Sequence, residues 1–144
     1  RPTTEDHRVT PDDMAQLHAA AMETRAWSAA EFQTFLDAGA IAVGDGRAFA
    51  LARVTLDELE ILTVATDPDH RRKGLARARM IDLQNKARAA GARRAFLEVA
   101  VSNTAARNLY AALGYIEIGR RKGYYGAPNG GKDDAVVMVL DLAA

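Results

Sequence analysis

Behind Thr10-Pro11-Asp12-Asp13, the residues Met14, Leu17, His18 and Ala21 recur at helical spacing. The leading four read as an N-cap, a proline at the first helical position and an acidic first turn, which predicts a helix. A second helix opens at Ser28, where Ser28 with Glu31 spells a capping box, Trp27 with Phe32 a hydrophobic staple, and Gly39 a stop. The pattern then shortens. Residues 40–43 and 48–53 flank Gly44-Asp45-Gly46-Arg47, whose Asp-Gly step suits a tight hairpin. Residues 59–65 form a further apolar run ended by Asp67-Pro68, and residues 95–101 another. Between these two runs lies the longest predicted helix, residues 75–90, with Ala76, Met80, Leu83, Ala87 and Ala90 along one face and Gly91 just past its end.

Asn103 is placed to cap a shorter helix that runs through Leu113 and stops at Gly114. Two closing strands, residues 115–120 and 135–140, bracket a glycine-rich loop. The predicted order is ααβββαβαββ. Its central strand, helix, strand segment calls for a right-handed crossover, so the expected class is α/β (α+β): a mixed, mostly antiparallel sheet with a central parallel strand pair, flanked by helices. No internal repeat, linker or low-complexity stretch interrupts this order, and one domain spanning residues 1–144 is expected.

Composition narrows the chemistry. With 49% hydrophobic and 26% charged residues the chain is too apolar to be disordered. Lys plus Arg and Asp plus Glu are balanced at 19 each, which gives no general attraction to nucleic acid or to an anionic membrane, so any basic site is local. The chain has no cysteine, which rules out a disulfide framework, a cysteine metal site and an acyl-cysteine intermediate. His7, His18 and His70 have no ligand spacing, and no metal is expected. Residues 1–10 are polar and no apolar run approaches the roughly 20 residues of a membrane span, so a cytoplasmic location is expected.

The most informative stretch is Asp67-Pro68-Asp69-His70-Arg71-Arg72-Lys73-Gly74-Leu75-Ala76-Arg77, a strand end that passes through a basic turn into a helix. Backbone N–H groups at a helix start lack intrahelical partners and face outward with the positive end of the dipole, so an anion is favoured there. Gly74 and Ala76 allow a phosphate close to the backbone. Arg71, Arg72, Lys73, Arg77 and Arg79 add charge suited to a ligand with several phosphates. The spacing is neither a Walker A loop nor a G-x-G-x-x-G dinucleotide turn. A solvated basic turn with a glycine for sharpness is the plainer alternative.

Arg71-x-x-Gly74-x-Ala76 resembles the Q/R-x-x-G-x-G/A signature of the GNAT acetyltransferases. Ala65-Thr66-Asp67-Pro68, Leu97-Glu98-Val99, Ser102-Asn103, Leu109-Tyr110, Leu113-Gly114-Tyr115, Tyr124-Tyr125 and Asp134-Ala135-Val136-Val137-Met138 are similar in order and spacing to the ribosomal-protein-alanine branch of that family, as is Trp27-Ser28. The resemblance implies acetyl-CoA as acyl donor, its pantetheine arm against Val64, Ala65 and Thr66, and its pyrophosphate on Arg72, Lys73, Gly74, Leu75, Ala76 and Arg77, with Arg71 opening the signature. It implies a protein N-terminus as acceptor, the alanine of a small-subunit ribosomal protein. In the family the signature follows the fourth strand. Here it follows the third, so a first strand ahead of Thr10 is missing or cut short on this count. The loop of residues 126–133 departs from the family pattern, which bears on acceptor choice.

Moving an acetyl group from a thioester to an amine needs a neutral nucleophile, a donor for the carbonyl oxygen and a proton for the departing thiolate. Strand alternation puts Ala95, Leu97 and Val99 on one face and Phe96, Glu98 and Ala100 on the other. The resemblance makes Glu98 the general base; by itself such a residue is more often a solvent-facing or ion-paired strand residue. Tyr110 falls on the inward face of its helix, as packing or, by resemblance, as the acid: tyrosine holds its proton to roughly pH 10, against about 8.5 for a thiol. Asn103 caps its helix or, as in relatives, contacts the coenzyme. The oxyanion donor is a backbone N–H at Ala65 or Thr66. An α-amine titrates near pH 8, so one modest base such as Glu98 suffices. Tyr124 and Tyr125 are an aromatic wall for the entering peptide or plain exposed strand aromatics. Two alternatives to the N-terminal acetyltransferase stay open: an acetyltransferase of a small-molecule amine, and a non-catalytic acyl-CoA-binding module.

Overall fold

The structure, a computed structural model, describes residues 9–21, 26–126 and 132–143. Helices α1 (Pro11–Ala21) and α2 (Ala29–Asp37) are followed by strands β1 (Ile41–Gly44), β2 (Ala48–Thr55) and β3 (Glu58–Thr66), a short 3-10 turn (Pro68–His70), helix α3 (Leu75–Ala89), strand β4 (Arg94–Ala100), helix α4 (Thr104–Ala112) and strands β5 (Ile116–Gly126) and β6 (Lys132–Asp141). Apart from the 3-10 turn, this is the predicted order. The residues ahead of Val9, where a further strand was in question, lie outside the described residues.

Local signals set the helix ends. The Asp13 N–H donates to Thr10 Oγ1 and the Thr10 N–H to Asp13 Oδ2, which closes the start of α1. Ser28 and Glu31 form the reciprocal capping box of α2, with the Trp27 and Phe32 rings 5.6 Å apart as its staple. The longest helix ends one residue earlier than expected. Ala90 is its exposed C-cap, and Gly91, at φ 97°, takes the left-handed position beyond it.

The six strands run in the order β1-β2-β3-β4-β6-β5, antiparallel except between β3 and β4. On one face Phe49, Leu51 and Ala65 pack under Met14, Leu17 and Phe32 of α1 and α2. On the other, Ala50, Ala52, Leu59, Ile61, Leu97 and Val99 pack under Met80, Leu83 and Ala87 of α3 and Tyr110 of α4. Tyr115 ties this second layer together: its hydroxyl donates to Gln84 Oε1 at 2.8 Å, and burial, reinforced by nearby Tyr110, pushes the phenol well above its ordinary pKa.

The closing strands are longer than predicted. Residues 121–126, read as the start of the loop, continue β5, with Tyr125 opposite Asp133 and Gly126 opposite Lys132. Two register irregularities let the strand run on, and at the second the Gly123 N–H, at φ 60°, donates to Asp134 Oδ1.

β2 and β3 meet in a two-residue turn, Leu56-Asp57, that puts Leu56 at φ 59° and leaves it 93% exposed. A branched aliphatic residue there carries left-handed strain with no packing to offset it. Leu56→Asn is expected to stabilise the protein by about 0.5–1 kcal/mol in urea unfolding; a loss would show that the leucine packs somewhere in solution.

Candidate active site

β3 and β4 pair at only three positions, Glu58↔Arg94, Leu59↔Ala95 and Glu60↔Phe96, although β3 continues to Thr66 and β4 to Ala100. The divergence starts at a bulge. In the β2 ladder Leu51 faces Thr63 and Ala52 faces Ile61, so Leu62 is an extra residue. Its insertion bends the strand and flips its alternation: Leu59 and Ile61 pack toward α3, Leu62 and Ala65 toward α1 and α2, and Val64 toward α3 again. Thr63 is pinned beside the bulge. His18 accepts the Trp27 N–H at Nδ1 (2.9 Å), so its other nitrogen, Nε2, carries the proton and donates to Thr63 Oγ1 (3.1 Å).

Ladder parity decides which backbone groups face the opening. Asp67 N–H donates to the Arg47 carbonyl and Asp45 N–H to the Ala48 carbonyl. Ala48 therefore turns its polar groups toward β1, and Thr66, opposite it, turns its own away from β2. Counting back, Val64 does the same, whereas Ala65 and Thr63 face β2. The same count on β4, from Val101 N–H to Asp134 O and Leu142 N–H to Arg93 O, turns Glu98 and Ala100 away from β6. Val64 and Thr66 on one side, and Glu98 and Ala100 on the other, present donors and acceptors to a gap that no strand fills among the described residues. Of the two amides considered for the carbonyl oxygen, Thr66's faces the gap and Ala65's faces Phe49.

The basic turn sits at the end of the same strand. Asp67 caps the 3-10 turn by accepting the Asp69 N–H, Arg72 takes φ 63°, and Gly74 takes φ 75° as the N-cap of α3. A glycine has no side chain to cap the helix, and the first turn of α3 holds no acidic residue but does hold Arg77. In α1 and α2 that turn carries Asp12 with Asp13, and Glu31. The start of α3 is thus charged against its own dipole, an arrangement suited to an external anion. A Cβ added at Gly74 would meet no protein atom within 4 Å, so the glycine answers to its backbone angle and leaves the space above it open. Arg72, Lys73 and Arg77 are exposed, with Leu75 and Ala76 half-buried beside them. Arg71 reaches back to the Ala21 carbonyl (3.4 Å), and Arg79, counted with the phosphate-facing cations, instead points into the fold, to the Ala48 carbonyl (3.0 Å).

Glu98 projects from the face of β4 opposite the Tyr110 layer, half-buried, and Arg121 Nη1 lies 2.9 Å from its Oε1. That pairing joins residues 23 apart in sequence and has no local signal. Tyr110 is buried, its ring 5.9 Å from that of Tyr115. β4 therefore stands between the two candidate catalytic side chains. Asn103 does cap α4, accepting the Ala106 N–H at Oδ1 (3.2 Å). The Tyr124 and Tyr125 side chains, an aromatic wall or plain exposed strand aromatics by sequence, lie outside the described residues.

The acetyltransferase (GNAT) family model matches residues 7–115. The chain belongs to the GNAT acetyltransferase family. It is 33% identical over 128 residues, covering 89% of this chain and 86% of the relative, to the Escherichia coli enzyme named [ribosomal protein bS18]-alanine N-acetyltransferase. The Haemophilus ducreyi protein of the same name is 39% identical over 95 residues, 66% of each chain. The crystal structure of the E. coli ribosomal-protein-S18-alanine N-acetyltransferase superimposes with a TM-score of 0.84 at 31% identity, covering 93% of this chain and 88% of that one. Arabidopsis thaliana NAA60 in complex with acetyl-CoA shares the fold, with a TM-score of 0.80 at 20% identity over 95% of this chain and 97% of that one. As a GNAT fold, the molecule has its parallel strand pair at β3 and β4, and no helix among the described residues is long and apolar enough to cross a membrane.

Because Arg77 opposes the α3 dipole, Arg77→Glu is expected to raise the stability of the ligand-free protein by about 0.3–1 kcal/mol while weakening coenzyme A binding. Urea unfolding and calorimetry check the two halves; a destabilised variant would contradict the dipole argument.

Proposed function

We propose that this GNAT enzyme acetylates the N-terminal alanine of a small-subunit ribosomal protein, with acetyl-CoA as donor. The acyl-transfer reading rests on the β3–β4 gap, which opens beside an uncapped, basic helix start. The acceptor rests on likeness to the enzymes named for bS18 alanine.

In this reading the first amides of α3, with Arg72, Lys73 and Arg77, hold the coenzyme A pyrophosphate. The pantetheine arm lies along β3, where Val64 and Thr66 offer an unpaired backbone edge much as a missing strand would use it. The acyl donor supplies a thioester carbonyl to the gap. Thr66 N–H stands where charge develops on the carbonyl oxygen, and Glu98, held at one oxygen by Arg121, takes the proton of the attacking α-amine directly or through a water. Tyr110, across β4, returns a proton to the leaving sulfur. Base and acid approach from opposite faces of one strand, so neither competes for the other's proton.

The test is coenzyme A release with acetyl-CoA and an alanine-initiated peptide copying a bS18 N-terminus, beside the same peptide with its α-amine blocked and a polyamine in its place. Acetylation of the free α-amine alone, located by mass spectrometry, is expected; transfer to the polyamine and not to the peptide would move the assignment to a small-amine enzyme. Glu98→Gln and Tyr110→Phe are each expected to lower turnover at neutral pH about 100-fold with coenzyme A affinity unchanged. Full activity in either variant would remove that residue from the mechanism.

A further inference from the structure

The turn between β1 and β2 touches the basic turn on both sides. On the upstream side the Arg47 carbonyl accepts the Asp67 N–H at 2.8 Å, at the residue that follows β3 and caps the 3-10 turn. On the downstream side Arg79, one turn into α3, donates from Nε to the Ala48 carbonyl (3.0 Å) and places Nη2 3.1 Å from Asp45 Oδ2. The Asp45 carboxylate gathers the turn itself, accepting the Arg47 N–H (2.8 Å) at Oδ1 and Arg47 Nη2 (3.0 Å) at Oδ2. Gly44 makes this close approach possible, since a Cβ there would sit 2.2 Å from the Ala48 oxygen that Arg79 binds.

The Asp45–Arg79 pair is well enclosed, with side-chain exposures of 31% and 17%. Burial alone would raise the Asp45 pKa. The hydrogen bonds from Arg47 and the charge of Arg79 outweigh it and bring the group down to about 2, so the carboxylate is ionised throughout the neutral range. Arg79 in turn is withheld from the ligand.

We propose that Asp45 is a positioning residue for acetyl-CoA: acting through Arg79 and the Arg47 carbonyl, it clamps the β1–β2 turn to both ends of the basic turn and so fixes the direction of the first α3 amides. The inference rests on the reading that this turn holds the coenzyme A pyrophosphate. Three amides at a helix start bind a phosphate well only if strand end and helix keep their relative angle, and the clamp joins those two elements through a third.

The experiment measures coenzyme A binding by calorimetry, and kcat with KM for acetyl-CoA and for peptide, in the wild type, Asp45→Asn, Arg79→Gln and the double variant. Each single variant is expected to weaken coenzyme A binding and raise the acetyl-CoA KM about tenfold, with kcat and peptide KM within about twofold, and the double variant to lose about tenfold rather than the hundredfold of independent sites. Arg79→Lys, which keeps a charge for Asp45, is expected to recover part of the affinity and serves if Asp45→Asn does not fold. Unchanged coenzyme A affinity in folded variants, additive losses, or a joint fall of kcat with both KM values would overturn the proposal. A wild-type protein that fails to bind coenzyme A would instead refute the pyrophosphate reading beneath it.

Discussion

A backbone N–H or C=O that loses its strand partner must find another, and this site is organised around a place where two strands stop supplying one another. β3 and β4 begin as an ordinary parallel pair, and one inserted residue, Leu62, turns the rest of β3 away. A parallel pair in the middle of a sheet would otherwise be sealed by its own hydrogen bonds. Here Val64 and Thr66, with Ala100 across from them, turn backbone groups into the opening, and in the proposed function the pantetheine arm completes that ladder.

The remaining parts follow from where that opening lies. β3 ends at Thr66, and within ten residues the chain enters α3 at a left-handed glycine, so the strand edge and the helix start lie close together in the chain. α3 and α4, the latter with Tyr110, cover the face of β4 that bears Leu97 and Val99, and Glu98 occupies the other. In the proposed reaction, acid and base are thereby divided by the thickness of one strand. Holding that geometry requires fixed elements on both sides of the opening. His18 steadies the bulge from α1 through Thr63, and the Asp45 cluster steadies the turn above it.

What was legible in the chain is what chemistry between near neighbours determines. Thr10, Ser28 and Asn103 cap the helices they were expected to cap, because a cap is decided within three residues. Glu98 falls on the expected face of β4 because alternation survives wherever one face is buried. The Leu62 bulge was not foreseen, although Ile61 and Leu62 side by side break the alternation, since a continuous apolar run reads as a uniformly buried strand. Arg79 was counted as a ligand cation because charge alone says nothing of direction; its partner, Asp45, is 34 residues upstream. Arg121 reaches Glu98 only because β6 inserts between β4 and β5, a placement no local pattern records.

Amide hydrogen exchange, resolved by residue in the free and acetyl-CoA-bound protein, tests the gap most directly. Thr63 and Ala65, bonded to β2, are expected to exchange slowly in both states. Val64 and Thr66 are expected to exchange readily in the free protein and to become protected when acetyl-CoA binds. Protection of Val64 and Thr66 already present without ligand, or binding that leaves both unchanged, would contradict a site built on an unpaired strand edge.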